Sequence, residues 1–498
     1  MPMSKLLIPF TLCLALLLSA CRPSAPSQSM PCNRLPQITP DFVDITIPIN
    51  LCPPNFGLNE AGSRVVARLS TNDFSYTYGQ GKQILIDPTE WEQLKQSAIG
   101  NDIQVELWSE QPEGWIAYQP FSIHVAPDSI DRYISYRLIP PSYVSYEELI
   151  IEQRDLSSFQ TREIYSNMLV NTEQKGQCIN CHSYQNYNST GRFLFHARQA
   201  WGGTLLVDGE QIRKVDLKRP GCISAGVYPA WHPTDNLIAF STNKTAQVFH
   251  SLDTAKIEVF DSASDLILYD PVTDQVSSIS SLTDQLETFP TWSPDGQWLY
   301  FSSAQVPFDT LAPNLSQEAV KDYQLVRYDL YRKSFDRTTH QFGPTQLVYR
   351  ASADSLSATL PRISPDGRYL VAALGPYGCF HVWHPQADIM LLDLQALADS
   401  TAQPLLLDPI NSEQSESYPT FSSNGRWLMC ASRRDDGNYT RPYIAYFDRQ
   451  GLCHKPFQVP QQSPAHYQLS FKSYNRPEFM VSPVQVSPKD IARVVVSN

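Results

Sequence analysis

Apolar and polar residues alternate with period two through 42–47, 64–69, 83–86, 102–108, 115–118 and 133–138. Such alternation turns one face of a strand to a core and the other to solvent. Pro, Gly and Asn turns separate the runs, and short strands at this spacing predict a β-sandwich over residues 33–150. Pro88 to Leu94 is the exception, a short helix with Thr89 as its expected cap. From 145 to 190 the alternation fades. Tyr146–Asp155 and Thr161–Leu169 read as helical, and 151–191 as a linker between domains.

A longer period begins at residue 192. Tyr228 opens YPAWHPTDNLIAFS, Phe289 opens FPTWSPDGQWLYFS, Leu360 opens LPRISPDGRYLVAA and Tyr418 opens YPTFSSNGRWLMCAS. Each reads as a strand, a tight turn and a second strand, with proline fixing φ in the turn and glycine accepting the left-handed geometry after it. A further strand follows each hairpin, as in Asp265–Asp270 and Asp388–Asp393. The intervals between Pro229, Pro290, Pro361 and Pro419 are 61, 71 and 58 residues, enough for four strands and their loops. That is the repeat of a β-propeller. The expected fold is mainly β: the N-terminal sandwich, then a propeller over 192–498, six-bladed within a range of five to seven. Gly191–Leu217 forms a degenerate early blade and Leu452–Pro483 closes the ring. Trp231, Trp292, Trp298 and Trp427 fall at repeat positions and read as core.

The N-terminus is read apart from the fold. Lys5 and the apolar run Leu6–Leu18 form a secretory signal over 1–20, too short for a stable membrane span. It ends in Leu18-Ser19-Ala20-Cys21, which resembles the lipobox of bacterial lipoproteins; the resemblance implies acylation of Cys21, with 21–32 as a flexible tether. Loss of Lys5 with the signal takes the formal charge from −12 to −13. That surface disfavours nucleic acid and anionic lipid head groups as partners. A basic protein partner is compatible with it.

The densest chemistry is Cys178-Ile179-Asn180-Cys181-His182. Two cysteines three apart with a histidine directly after match the attachment site of haem c: the thiols add to two vinyl groups and His182 becomes the proximal iron ligand. Zinc needs a fourth ligand nearby. A redox disulfide remains the other reading, although no βαβ unit surrounds the motif. For the iron's other side the candidates are Met168 and His196. His232 replaces the serine of the other repeats (Ser293, Ser364, Ser422). With His250, His381 and His384 it marks a surface to inspect for a second metal or a substrate. Of the remaining cysteines, Cys32 and Cys52 are the pair expected to bridge in an oxidising compartment.

The "WSPDG" lines resemble the TolB-type, WD40-like propeller repeats of bacterial periplasmic proteins over roughly 192–480. The layout as a whole resembles the propeller lipoproteins of Bacteroidetes-type bacteria. The resemblance implies a lipid-anchored protein of the outer membrane, facing the periplasm. With the haem motif, the expected function is electron transfer or redox sensing, with the propeller as a docking platform for a protein partner. The alternative is a non-enzymatic lipoprotein binding a protein or glycan, its haem structural or absent. No Gly-x-Ser-x-Gly elbow, phosphate loop or His-Glu-x-x-His helix is present, so the common hydrolase and nucleotide readings find no support.

Overall fold

The computed structural model describes residues 23–79, 81–141, 146–170, 178–280, 284–397 and 403–497. The signal segment and Cys21 lie outside them. Two compact units emerge: Met1–Pro127 with Pro460–Gln468, and Asp128–Val459 with Leu469–Asn498. No described helix is long and apolar enough to cross a membrane.

The first unit has the two sheets of a small sandwich. Val65–Ser70 pairs antiparallel with Asp102–Gln111 from Val65 opposite Ser109 to Ser70 opposite Gln104. Phe121–Ala126 joins on the far side, and Ile45–Pro48 runs parallel to it. A three-stranded sheet of Ile38–Thr39, Phe56–Leu58 and Gln83–Ile84 completes the pair. Phe56 meets Phe121 edge-on at 6.4 Å between ring centroids, tying the sheets through aromatic packing. The helix runs Pro88–Ser97. Its cap is Asp87 rather than Thr89: Asp87 Oδ1 accepts from the backbone N–H groups of Thr89 and Glu90. A carboxylate there also complements the helix dipole. Trp91 and Leu94 on its inner face are buried, and Trp91 Nε1 donates to the Leu51 carbonyl at 2.9 Å.

The second unit is a β-propeller of six antiparallel blades among the described residues, the third and fourth joined into one sheet by a parallel bridge between Ser264 and Leu286. Its start corrects the sequence reading. Tyr133–Ile139, Ile150–Asp155 and Thr161–Ser166 are not a sandwich edge and a linker but three strands of the first blade. The C-terminal strand Ser473–Met480 pairs with Tyr133–Ile139 and closes that blade. The second blade is Ile179–Tyr184, Arg192–Ala197, Gly203–Asp208 and Gln211–Val215. The third, Gly226–Trp231, Ile238–Phe249, Ile257–Asp270 and Gln275–Ser278, has two strands much longer than the rest. Blades four, five and six begin at Gln285–Trp292, Ser357–Ile363 and Glu416–Phe421.

Each blade's innermost strand packs against the next around the ring, and Ser473–Met480 packs against Ile179–Tyr184 to complete it. Closure with the first and last strands of this unit, Tyr133–Ile139 and Ser473–Met480, in one blade removes the open sheet edge that a linear array would expose. Core layers fill the spaces between blades. Ala239, Leu266 and Leu268 of blade three meet Trp292, Leu299 and Phe301 of blade four, all buried. Each such aliphatic or aromatic side chain contributes roughly 1.5–3 kcal/mol on burial.

Candidate functional site

The innermost strands share one irregularity, which positions the site. The ladder slips between Val227 and Ala230, Thr288 and Thr291, Thr359 and Arg362, and Ser417 and Thr420. The first residue inside each bulge has positive φ: Tyr228 at 48°, Phe289 at 52°, Leu360 at 57° and Tyr418 at 52°. The second is always proline, at 229, 290, 361 and 419. Proline fits because that position gives no N–H to the ladder.

Blade two carries the same bulge between Asn180 and Ser183. Cys181, with φ at 55°, stands where the others have an aromatic or leucine, and His182 stands where they have proline. The Cys-x-x-Cys-His segment is therefore the innermost strand of a blade, and its backbone strain belongs to the architecture because five blades share it.

The bulges of blades three to six ring a narrow central channel with Arg362 and Arg476; the void left between them is about 20 Å³. A far larger cavity, about 930 Å³, lies against the second blade. Cys178, Cys181 and His182 line it, with His196 and Arg198 from the neighbouring strand. Phe249, Ile257 and Val259 from the long third-blade hairpin contribute an apolar wall, with Phe380, Ile139 and Leu149. The volume lies within the ~300–1,000 Å³ typical of small-molecule and cofactor sites.

The two thiols are free and partly exposed. His182 is only 1% exposed and its Nε2 has no hydrogen-bond partner. Burial lowers its pKa to about 3, aided by the positive charges of Arg476 and Arg137; Glu478 and a hydrogen bond to the Arg476 backbone oppose the shift. His196 matches it. Its Nδ1 lies 2.9 Å from Thr204 Oγ1, while Nε2 is buried and unpaired. Burial and then Arg198 lower its pKa to about 3 as well. Both rings are thus neutral imidazoles at ordinary pH, the form that ligates a metal. A ring with one nitrogen held and the other unpaired is the arrangement a ligating histidine adopts.

The same donor set tests the fit of haem c. It needs two unpaired thiols at Cys-x-x-Cys spacing, a neutral histidine with an unused nitrogen, and room walled by apolar groups. All three are present on one cavity. Among the described residues no three His, Cys, Asp or Glu side chains gather tightly enough to hold a bare metal ion.

Other candidates fall elsewhere. Met168 sits in the short turn Asn167–Leu169, 70% exposed and off the cavity wall. Of the four histidines proposed to mark one surface, the structure gathers three: the His381 and His384 rings lie 5.6 Å apart, and His384 leads through Tyr377 and Tyr323 to His250, whereas His232 packs on Trp292 and Phe335. His232 is fully buried, and its Nδ1 accepts from the Thr234 and Asp235 N–H groups, whereas the serine at the same position of the next blade, Ser293, accepts from the Trp298 N–H. His384 is buried on Glu258 at 2.7 Å, and His381 lies 3.2 Å from Thr359 Oγ1. His250 Nε2 lies 3.4 Å from the Tyr323 hydroxyl. No disulfide joins Cys32 and Cys52.

Sequence reasoning missed Arg137, Arg476 and Asn243 on the cavity wall. The first two come from the blade closed by the chain's last strand, a pairing no local pattern announces. The shared bulge, in contrast, was available by aligning Cys181-His182-Ser183-Tyr184 with Tyr228-Pro229-Ala230-Trp231.

No protein-family model matches the chain, and no curated protein matches it in sequence. Solved structures do resemble it. A prolyl endopeptidase is 12% identical, covering 66% of this chain and 42% of that one, with a TM-score of 0.34. The GH74 enzyme of Niastella koreensis is 11% identical, with coverages of 65% and 45% and a TM-score of 0.38. A DUF4784 family protein from Bacteroides caccae is 6% identical, with coverages of 74% and 95% and a TM-score of 0.29. The chain spans less than half the length of the first two. The class of protein defined here is a mainly β protein with a six-bladed propeller.

Proposed function

We propose that this chain is a haem c protein, with Cys178 and Cys181 forming the thioethers and His182 the proximal ligand, and that it serves electron transfer or redox sensing. The carrying observation is that two neutral, buried histidines, His182 and His196, line the cavity that holds two free thiols, and each has an Nε2 without a hydrogen-bond partner. Haem bound there supplies reversible one-electron chemistry. The protein's part is to exclude water with the Phe249 and Val259 wall, to hold His182 against the Arg476 backbone, and to offer His196 as the second nitrogen. Lipid on Cys21 anchors the chain at the periplasmic side of the outer membrane, and the TolB-type propeller is the platform for a protein partner.

The test is expression in a host that matures cytochromes c, followed by oxidised and reduced optical spectra and a haem stain after denaturation. The stain should be positive and should vanish in a Cys178→Ser, Cys181→Ser variant. His196→Ala should alter the haem spectrum, whereas Met168→Ala should not. A stain-negative protein overturns the reading and leaves a haem-free propeller that binds a protein or glycan.

A further inference from the structure

Acids outnumber bases in the whole chain, 50 to 38. The large cavity inverts that balance: its charged lining is Arg137, Arg198, Lys218 and Arg476 against a single acid, Asp216. Asp216 is already engaged, its Oδ1 accepting from the Lys218 backbone N–H at 2.8 Å. Among the described residues no carboxylate pairs with Arg137, Arg198 or Lys218. Arg476 reaches Glu478 at 2.6 Å, but Arg362 claims the same carboxylate at 2.9 Å, so two guanidiniums share one negative charge. Arg476 Nε is buried with no partner at all.

The positions of these cations are specific. Arg137 donates from Nη1 to the Ile179 carbonyl inside the motif, and Arg476 borders the same cavity. With the Asn180 amide turned to face it, Arg198 donates from Nε and Nη2 to Asn180 at 3.0 Å, which fixes the guanidinium beside the motif. Arg forks match carboxylates two bonds at a time. A low-dielectric cleft lined by one sign of charge concentrates ligands of the other sign.

We infer that this cationic rim takes the two carboxylates of a porphyrin whose apolar body lies along the Phe249 and Val259 wall. The inference rests on the haem reading and adds to it the groups that orient the ring by its charged edge.

Iron-free protoporphyrin IX separates the rim from iron ligation. The full chain, produced without cytochrome maturation, is titrated with protoporphyrin IX and with its dimethyl ester, following quenching of tryptophan fluorescence. The diacid should bind at least tenfold more tightly than the ester, and added salt should narrow the gap. Arg198→Gln with Lys218→Gln, both at exposed positions, should weaken the diacid several-fold and leave the ester unchanged. Arg476→Gln, checked for folding by circular dichroism, should do the same. Equal affinities for diacid and ester overturn the inference, as does a variant that weakens both alike. Succinate binding with the same dependence on Arg198 and Lys218 would assign the rim to free dicarboxylates and also overturn it. The haem stain of the matured protein reads the parent proposal separately. Covalent haem with equal affinities removes the rim alone; carboxylate-dependent binding without covalent haem supports the rim and removes the thioethers.

Discussion

Asp261 gives the sharpest quantitative test of the cavity's surroundings. It lies on the long third-blade strand, 3% exposed, and accepts from Asn243 Nδ2 at 2.6 Å. Asn243 in turn lines the cavity. Tyr228, Tyr328 and Cys379 also surround the carboxyl, and no base among the described residues pairs with it. Burial therefore raises its pKa from 3.8 to about 7, against the single Asn243 hydrogen bond. A raised folded-state pKa means that the native state holds the proton more tightly than the unfolded chain. The associated stability is full below 3.8 and is lost as pH rises through about 7. At about 1.36 kcal/mol per pKa unit, keeping Asp261 buried costs the fold about 2 kcal/mol at about pH 5, where the native carboxyl holds a proton that the unfolded chain has released, and about 4 kcal/mol at about pH 8. Asp261→Asn keeps an oxygen for Asn243 and removes the charge. Urea midpoints of the two proteins, compared at both pH values with unchanged slopes, give the difference directly. Other buried acids such as Asp388 and Glu287 titrate equally in both and cancel. The variant should gain stability at both pH values, and the gain should grow by about 2–3 kcal/mol between them. A gain that does not change with pH, or a loss that deepens toward pH 8, refutes the reasoning.

Two further predictions concern the frame around the site. Glu478→Gln leaves Arg362 and Arg476 facing each other at the channel without the carboxylate they share. It should cost roughly 3 kcal/mol, read by urea denaturation at neutral pH. Gly296 turns at φ +70°, and a Cβ there would stand 2.3 Å from His232 Nε2. Gly296→Ala should therefore lower stability by roughly 1–3 kcal/mol. His232→Ser in the same chain should recover a good part of that loss by removing the ring, a non-additivity that thermal melts of the two single variants and the double would expose.

The repeat units were legible because their turn carries its own mechanism: the Ser-Pro-Asp-Gly runs at 293–296 and 364–367 dictate a tight turn whatever surrounds them. The sandwich strands were legible through alternation at 65–70 and 102–108. What failed was long-range. Ile150–Asp155 and Thr161–Ser166 look helical in isolation, because Glu152, Gln153 and Arg154 are good helix formers. They become strands because Tyr133–Ile139 is fixed by Ser473–Met480, more than three hundred residues away, and offers its other edge to Ile150–Asp155. Tertiary pairing overrides local propensity there. At the site, Cys178, Cys181 and His182 were evident from spacing alone. His196 over Met168 was not, since that choice depends on register: His196 lies directly opposite Asn180 in the ladder, whereas Met168 ends outside the cavity.

The exchange of Pro229, Pro290, Pro361 and Pro419 for His182 shows how a chemical motif enters a repeat without disturbing it. The bulge demands a residue that tolerates positive φ, then one whose backbone is not needed by the ladder. Cysteine and histidine meet those terms at 181 and 182 because the ring, not the residue type, enforces the geometry: flanking Asn180 and Ser183 keep the pairing seen in the other blades. Proline's side chain only fills space there. Histidine fills it and adds a nitrogen, and that nitrogen is buried without a partner. An unpaired buried nitrogen costs roughly 1–3 kcal/mol. A propeller built only for stability would have kept proline at this position, as the first blade does with Pro477. The second blade bears that cost beside two free thiols, at the one bulge that opens on the large cavity through a cysteine.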